Sequence, residues 1–522
     1  MNGGGPARTA DVVLVGAGHN SLVAAILLAR DGRSVVVLER SREVGGAAVS
    51  ARPFAGVDVS ISRYAYLVSL FPAALLSDLG VGLELRRRRV ASCTPAGRSA
   101  LVVDADDPAA TRRSFEAVGL AGDWKGWVDW QALVGRVATV VAPTLMDPLR
   151  PADHFRSDLG EEAWALLTGR PLGDTLSSAM GSDLLRGAVL TDGLIGTFAH
   201  SRDASLRQNR CFLYHVMGNG TGEWLVPVGG MGALSRSLLH LARQAGVEVR
   251  TEAPVASIEA DGRRAEVATE RGDRYRASAV LCGAAPAVLS GLLGDGDEGE
   301  RPEGAQIKVN MVLRRLPRLL SDVDPGTAFS GTLHVNESMS HLDASWQRAT
   351  EGTLPAPVPC ELYCHSLADG SIMGTELRGS GAQAVSLFAL HTPARLFAGS
   401  SAGPGTLGAD AALDACLASV QSVLDEPLPE CVLADADGRP CIEAHTPVTL
   451  ERELSLPGGN IFHGDLRWPW AEDDGDVGRW GVETAVPNVF VCGSGSRRGG
   501  AVSGLGGHHA AMAVRALLAR SP

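Results

Sequence analysis

The chain has 522 residues, room for about three domain-sized units, and its 45% hydrophobic and 20% charged content is that of a globular protein with a large core. A formal net charge of −12 argues against nucleic acid and anionic membrane surfaces as partners. No apolar run reaches the roughly eighteen residues of a bilayer span, so none is expected, while peripheral membrane contact and oligomeric state are left open. The opening MNGGGPARTA is too polar and glycine-rich for a secretory signal, which makes the cytoplasm the expected compartment.

Residues 11–46 read DVVLVGAGHNSLVAAILLARDGRSVVVLERSREVGG. Val12 to Val15 are a short apolar run of the kind a strand buried on both faces shows. Gly16 makes a tight turn, and Gly18 lets the backbone come close to a pyrophosphate. His19 and Asn20 open a helix whose free N–H groups and dipole face those phosphates, with Leu22, Ala25, Ile26 and Ala29 on one face. Val35 to Leu38 form the second strand. Glu39 ends it, 21 residues beyond Gly18, where a carboxylate can accept bonds from ribose hydroxyls. The third glycine of the usual fingerprint is Ser21, small enough to keep the helix close to the strand. The unit is a dinucleotide-binding βαβ fold, and no second one follows.

The stretch 86–220 reads as helix-rich, with Trp124, Trp127 and Trp130 on one helix face, a pattern expected of core. Gly229 to Gly232 form a turn, Ala233 to Ala245 an amphipathic helix, and Val247 to Arg250 a strand. Alternating runs at Val255–Ile258 and Ala265–Thr269 give a small antiparallel sheet, and Val280 to Cys282 a buried strand. Strands are expected at Gln306–Leu313, Cys360–Ser366 and Ala384–His391, a helix at about Asp410–Leu424, and loops at 400–408 and 425–440. Asn488 to Cys492 is a last buried strand. It runs into Gly493, Ser494 and Gly495, then a glycine-rich loop and a helix from about Gly504 to Leu518. The nine cysteines include no CxxC pair, so a redox disulfide is not expected. Cys360, Cys364 and His365 could be imagined as metal ligands, but Leu362 and Tyr363 between them indicate a strand, and no metal is expected.

VGAGHNSLVAA, VLERSREVGGAA, SRYAYLVSLFP, YHVMGNGTG, VPVGGMGALSRSL, PGGNIFHGD and NVFVCGSGSRRGGAVSGLGGHHAA run collinearly along the chain. In them the chain resembles the phytoene desaturase-like FAD oxidoreductases, closest to the pyridine nucleotide-disulphide oxidoreductase domain-containing protein 2 and bacterial carotenoid ketolase group. The resemblance implies an α/β fold like that of monoamine oxidase and phytoene desaturase. Its Rossmann-type FAD-binding domain would be assembled from 1–85, 221–295 and 446–522, and a discontinuous substrate domain from the inserts 86–220 and 296–445. It implies FAD, with Gly16, Gly18 and Glu39 on the ADP moiety and Arg40, Gly45 and Gly46 along the pyrophosphate. Val255 would meet adenine, Gly493 and Ser494 the ribityl and phosphate groups, and Val502 and Ser503 the flavin pyrimidine edge. Relatives usually read His-Pro-Gly-Gly where this chain has Arg497-Arg498-Gly499-Gly500, two guanidiniums placed either to attract an anionic substrate or to pair with a nearby carboxylate on the surface.

Flavin chemistry asks little of the protein beyond positioning, and a base only where a heteroatom proton must leave. His463 and His215 are the candidate acid/base groups, and Arg63 and Tyr64 candidate substrate contacts. The expected activity is a FAD-dependent dehydrogenase or desaturase. It would take hydride from a small, apolar or conjugated metabolite and return electrons to oxygen or a quinone-type acceptor. A redox-neutral flavin isomerase and a FAD-containing interaction or regulatory protein are the alternatives.

Overall fold

A computed structural model describes residues 7–295, 302–397 and 408–519; of the expected loop at 400–408, positions 400–407 lie outside them. The strand Arg8–Val15 pairs in parallel with Val35–Leu38 on one side and with Arg274–Cys282 on the other. Glu248–Arg250 adds in parallel to Val35–Leu38. The nine-residue strand Arg274–Cys282 serves two partners along one edge: its first half pairs antiparallel with Ala265–Thr269, its last three residues in parallel with Val489–Val491. Val255–Ala260 closes that edge as a hairpin. Register decides what this sheet can do. Val15 lies opposite both Leu38 and Cys282, and Cys282 opposite Val491. Four strands therefore end together, and Gly16, Glu39, Gly283 and Gly493 emerge along one carboxyl edge, where open α/β sheets bind ligands.

Helix His19–Arg30 covers one face, packed between Met231–Gln244 and Leu505–Ala519. The contact with the last helix is close enough that a Cβ at Gly507 would stand 1.9 Å from the Asn20 carbonyl. Glycine is required there.

The second sheet has the order Ile442–His445, Ile307–Leu313, Gln383–Ala389, Cys360–Tyr363, Thr332–Val335, Val90–Ala96, Ser99–Asp104. All its pairings are antiparallel except that of Thr332–Val335 with Val90–Ala96. The hairpin Val90–Asp104, turned at Gly97 with φ +62, falls inside the stretch read as helix-rich. Most of the rest of that stretch is helical. Its helix Trp124–Val141 buries Trp130, Leu133, Val137 and Val141 in a core shared with Phe115, Phe155 and Phe212.

Candidate functional site

One cavity of about 900 Å³ runs from the carboxyl edge of the first sheet to the face of the second. At the sheet edge its walls include Gly16, Gly18, His19, Asn20, Glu39, Arg40, Gly45, Gly46, Val255, Gly493, Ser494 and Val502. The Gly16 N–H donates to the Leu38 carbonyl, the Gly45 N–H to Ala17, and Gly18 bridges Gly45, so two glycine turns interlock. Glu39 holds the arrangement from beneath: Oε2 accepts from the Ala17 N–H at 2.7 Å and Oε1 from the Ser41 N–H at 2.8 Å. Ser21 fits for a local reason. A Cβ on Gly283 would stand 2.2 Å from its hydroxyl, so a glycine on the facing strand end makes room for the serine.

This edge fits a dinucleotide. A Cβ at Gly16 or Gly18 would meet no protein atom within 4 Å, and no side chain caps the helix that Gly18 opens. Backbone N–H groups and open space coincide there, as a pyrophosphate needs.

Toward the second sheet the walls become aromatic: Tyr66, Trp127, Trp130, Phe212, Trp224 and Phe388. Trp127 and Trp130 thus do more than pack a core; the sequence pattern alone could not distinguish a helix face buried in protein from one lining a chamber. His463 and His215 both reach the cavity. His463 holds φ +65 in a turn made by Asn460, and among the described residues its Nδ1 has no hydrogen-bond partner. His215 is stacked on Trp224, with Nδ1 3.0 Å from the Cys211 carbonyl. Burial pulls each imidazole down to about 4, so both are neutral at pH 7. His19, beside His463 and with Nε2 unpartnered, is held down to about 4 by burial and by that neighbour. Tyr64 lines the cavity and donates to Glu453 Oε2 at 2.9 Å; Arg40 donates to the Glu453 carbonyl.

Four expected contacts lie elsewhere. Arg497 points away from the cavity, donating to the Trp470 carbonyl at 2.7 Å and to Asp476 Oδ2 at 2.6 Å. Arg498, 1% exposed, donates to the Asp147 carbonyl at 2.7 Å and toward those of Thr144 and Trp480. The acceptors of Arg497 and of the Arg498 Nη1 and Nη2 groups all belong to the protein itself, and neither residue lines the cavity, which corrects the reading of them as substrate-charge selectors. Arg63 is likewise outside the walls, its Nε and Nη2 both bound to Glu443 Oε1. Ser503 precedes the last helix, which starts at Leu505, and its hydroxyl turns back to accept from the Leu505 N–H and donate to the Gly499 carbonyl. Cys492, just before Gly493, is buried against Ser21 at 3.6 Å, outside the cavity walls.

Lys308, Arg88, Asp192, His334 and Glu361, which no sequence motif marks, also stand in the cavity wall. Lys308 Nζ donates to the carbonyls of Ser62 and Tyr64, both at 2.7 Å, and sits 4.6 Å from the Tyr66 ring centre. Burial pulls its ammonium well below the usual lysine range. A charged residue inside the buried run IKVNMVL was the available signal. Burial pushes the Asp192 and Glu361 carboxyls up to about 7.

The chain matches the Flavin containing amine oxidoreductase family over residues 145–310 and the NAD(P)-binding Rossmann-like domain over 14–74. It is 46% identical to the uncharacterized protein Rv0897c of Mycobacterium tuberculosis, over 98% of each chain. It is 28% identical to the mouse pyridine nucleotide-disulfide oxidoreductase domain-containing protein 2, over 97% of this chain and 93% of the relative. Solved structures with the same fold include a putrescine oxidase bound to putrescine, with TM-score 0.59, 17% identity and coverage of 99% and 100%. The cyclohexylamine oxidase of Brevibacterium oxydans IH-35A has TM-score 0.54, 15% identity and coverage of 98% and 100%. The interlocked glycine edge and these relatives agree: the chain belongs to the FAD oxidoreductase family that includes Rv0897c and the pyridine nucleotide-disulfide oxidoreductase domain-containing protein 2, and is a flavin-dependent oxidoreductase with FAD as its cofactor.

Proposed function

We propose that the protein is a dehydrogenase or desaturase that removes hydride from a small, largely apolar or conjugated metabolite, and that oxygen or a quinone-type acceptor takes the electrons. The observation that carries this reading is the continuity of one cavity from the glycine edge into a chamber walled by Trp127, Trp130, Phe212, Trp224 and Phe388. Bound FAD supplies the hydride acceptor. Gly16, Gly18, Asn20, Glu39, Gly45, Gly46 and Val255 would hold its ADP half. Gly493, Ser494 and Val502 would hold the flavin half.

The aromatic walls exclude water and align flat, weakly polar molecules by stacking and area burial. His463 is the acid/base candidate, because its unpartnered Nδ1 can accept a proton, and His215 is the second. With the imidazoles pulled to about 4 by burial, either is a weak base, suited to steering a substrate hydroxyl or amine more than to deprotonating carbon. The aromatic walls, with the cations Lys308 and Arg88 bound to protein acceptors, favour uncharged substrates over anions.

Anaerobic screening of candidate metabolites by loss of flavin absorbance tests the proposal. Apolar and conjugated alcohols, alkenes and polyenes should bleach the flavin, and carboxylates of matched size should not. Bleaching confined to anionic substrates would overturn it. Product formed without bleaching or acceptor would identify an isomerase instead.

A further inference from the structure

On the second sheet the cavity wall holds a buried group of ionisable side chains with no role in gripping a dinucleotide. His334 and Glu361 are register partners on adjacent strands, which sets them side by side on one face. Glu337 follows the first of these strands, and Asp192 comes from the one-turn helix Thr191–Gly193. His334 Nδ1 is 2.6 Å from Glu337 Oε2 and 3.7 Å from Glu361 Oε1. One donor atom from each of His334, Glu337 and Glu361 lies within 4.8 Å of the other two. The Glu337 side chain is fully buried, and among the described residues its Oε1 has no hydrogen-bond partner. His334, Glu361 and Asp192 face the cavity, so the cluster has a wet side as well as a dry one.

The charges do not balance. Among the described residues the neighbouring cation is Arg88, and its guanidinium is already directed to Thr332 Oγ1 and the Trp224 carbonyl, over the Tyr363 ring. Tyr363 donates its hydroxyl to Glu361, Tyr66 packs on Tyr363, and Cys360 adjoins Glu337 and Glu361. None of these supplies positive charge. Two carboxyl groups buried side by side, with the half-buried Asp192 at the cavity edge, need a cation or bound protons.

We propose that His334, Glu337 and Glu361 form a binding site for a divalent transition-metal ion of the zinc or manganese class, with Asp192 at its cavity edge. An imidazole nitrogen with carboxylate oxygens is the donor set such ions prefer. Two of the donors stand on paired strands, which fixes their separation before any ion arrives. The free Oε1 of Glu337 gives that carboxyl an unused acceptor for the ion. The ion's remaining coordination position faces the chamber, where it takes water or an oxygen or nitrogen of a bound molecule. This inference does not depend on the substrate reading above.

The test uses full-length, FAD-loaded protein treated with chelator and dialysed. Zn²⁺ and Mn²⁺ are titrated separately by calorimetry, with Mn²⁺ also followed by electron paramagnetic resonance. One ion per chain should bind, and Glu337→Gln and Glu361→Gln should each weaken it at least about tenfold while the flavin spectrum is retained. Asp192→Asn, at the cavity edge and the mildest change, should weaken it severalfold and serves where a glutamine variant does not fold. Failure of both ions to bind stoichiometrically to the wild type would overturn the proposal, as would binding unchanged in the folded variants. The cluster would then be held together by protons. Because the readout is metal binding and not turnover, its failure says nothing about the dehydrogenase reading, and failure of that reading leaves it standing.

Discussion

Glu39 shows how one side chain can serve both fold and ligand. Its carboxylate ties Ala17 and Ser41 while facing the cavity. Glu39→Ala should weaken FAD binding by about 1–3 kcal/mol, roughly 5- to 150-fold in Kd, measured by fluorescence titration. Unchanged affinity would remove the first βαβ unit from the nucleotide site. Ser21 and Gly283 make a sharper pair. Gly283→Ala should destabilise by about 1–3 kcal/mol, because its Cβ would stand 2.2 Å from the Ser21 hydroxyl and 3.3 Å from the Val15 carbonyl. Adding Ser21→Gly should recover part of that loss, although a glycine in the helix costs up to about 1 kcal/mol itself. Additive effects in denaturant melts would show that the two residues do not meet.

At the scale of elements, the loop between the Val489–Val491 strand and the last helix is anchored from within. Arg498 reaches the carbonyls of Asp147 and Trp480, while Arg497 joins the Trp470 carbonyl to Asp476. His508 and His509 add Nε2 contacts to the carbonyls of Met146 and Leu145. Replacing Arg498 by Gln should cost about 2–4 kcal/mol, since it leaves buried carbonyls without donors. Thermal melts of the FAD-loaded protein check this. A change within about 0.5 kcal/mol, the range of an ordinary surface substitution, would mean the loop does not need the guanidinium.

For the whole molecule, burial leaves a signature in pH. His19, His215 and His463 are pulled to about 4, His365 and His391 to about 3, and Lys308 well below its usual range. A base whose folded pKa is depressed binds fewer protons folded than unfolded. Its stability is therefore complete above the unfolded value of about 6.5 for histidine and is lost as pH falls toward 4. Asp192, Glu337 and Glu361, pushed up, act oppositely over the same window. With His334, His508 and His509 also lowered by burial, eight histidines outweigh three carboxyls, so the melting temperature should rise from pH 4.5 to 6.5, and His463→Gln should flatten that rise. A second expectation concerns the cofactor's attachment. With Cys492 buried behind Ser21 and its thiol pushed up to about 12 by burial, no tether is expected, and acid precipitation should leave yellow FAD in the supernatant. Flavin that stays with the pellet would show a covalent bond.

The dinucleotide edge was legible in the sequence because its logic is local. Gly16, Gly18 and Glu39 lie within one βαβ unit, where strand length and helix length alone set their relative positions. Glu39, Gly45 and Val255 all line the cavity; Glu39 was expected there from its spacing, Gly45 and Val255 from the family resemblance. The substrate end was not legible, because its residues arrive from separate parts of the chain and meet only through pairings of the second sheet. Arg88, Asp192, Lys308, His334 and Glu361 share no motif, and Thr332 meeting Ser92 in parallel brings two of the contributing segments together. Arg497 and Arg498 show the reverse limit. Their place beside the flavin loop could be read from the chain, but side-chain direction depends on where carbonyls such as those of Asp147 and Trp470 are delivered. Sequence alone determined the first βαβ unit of this protein, since local backbone geometry builds it. Only the tertiary structure decided which charges face the chamber and which are spent holding it together.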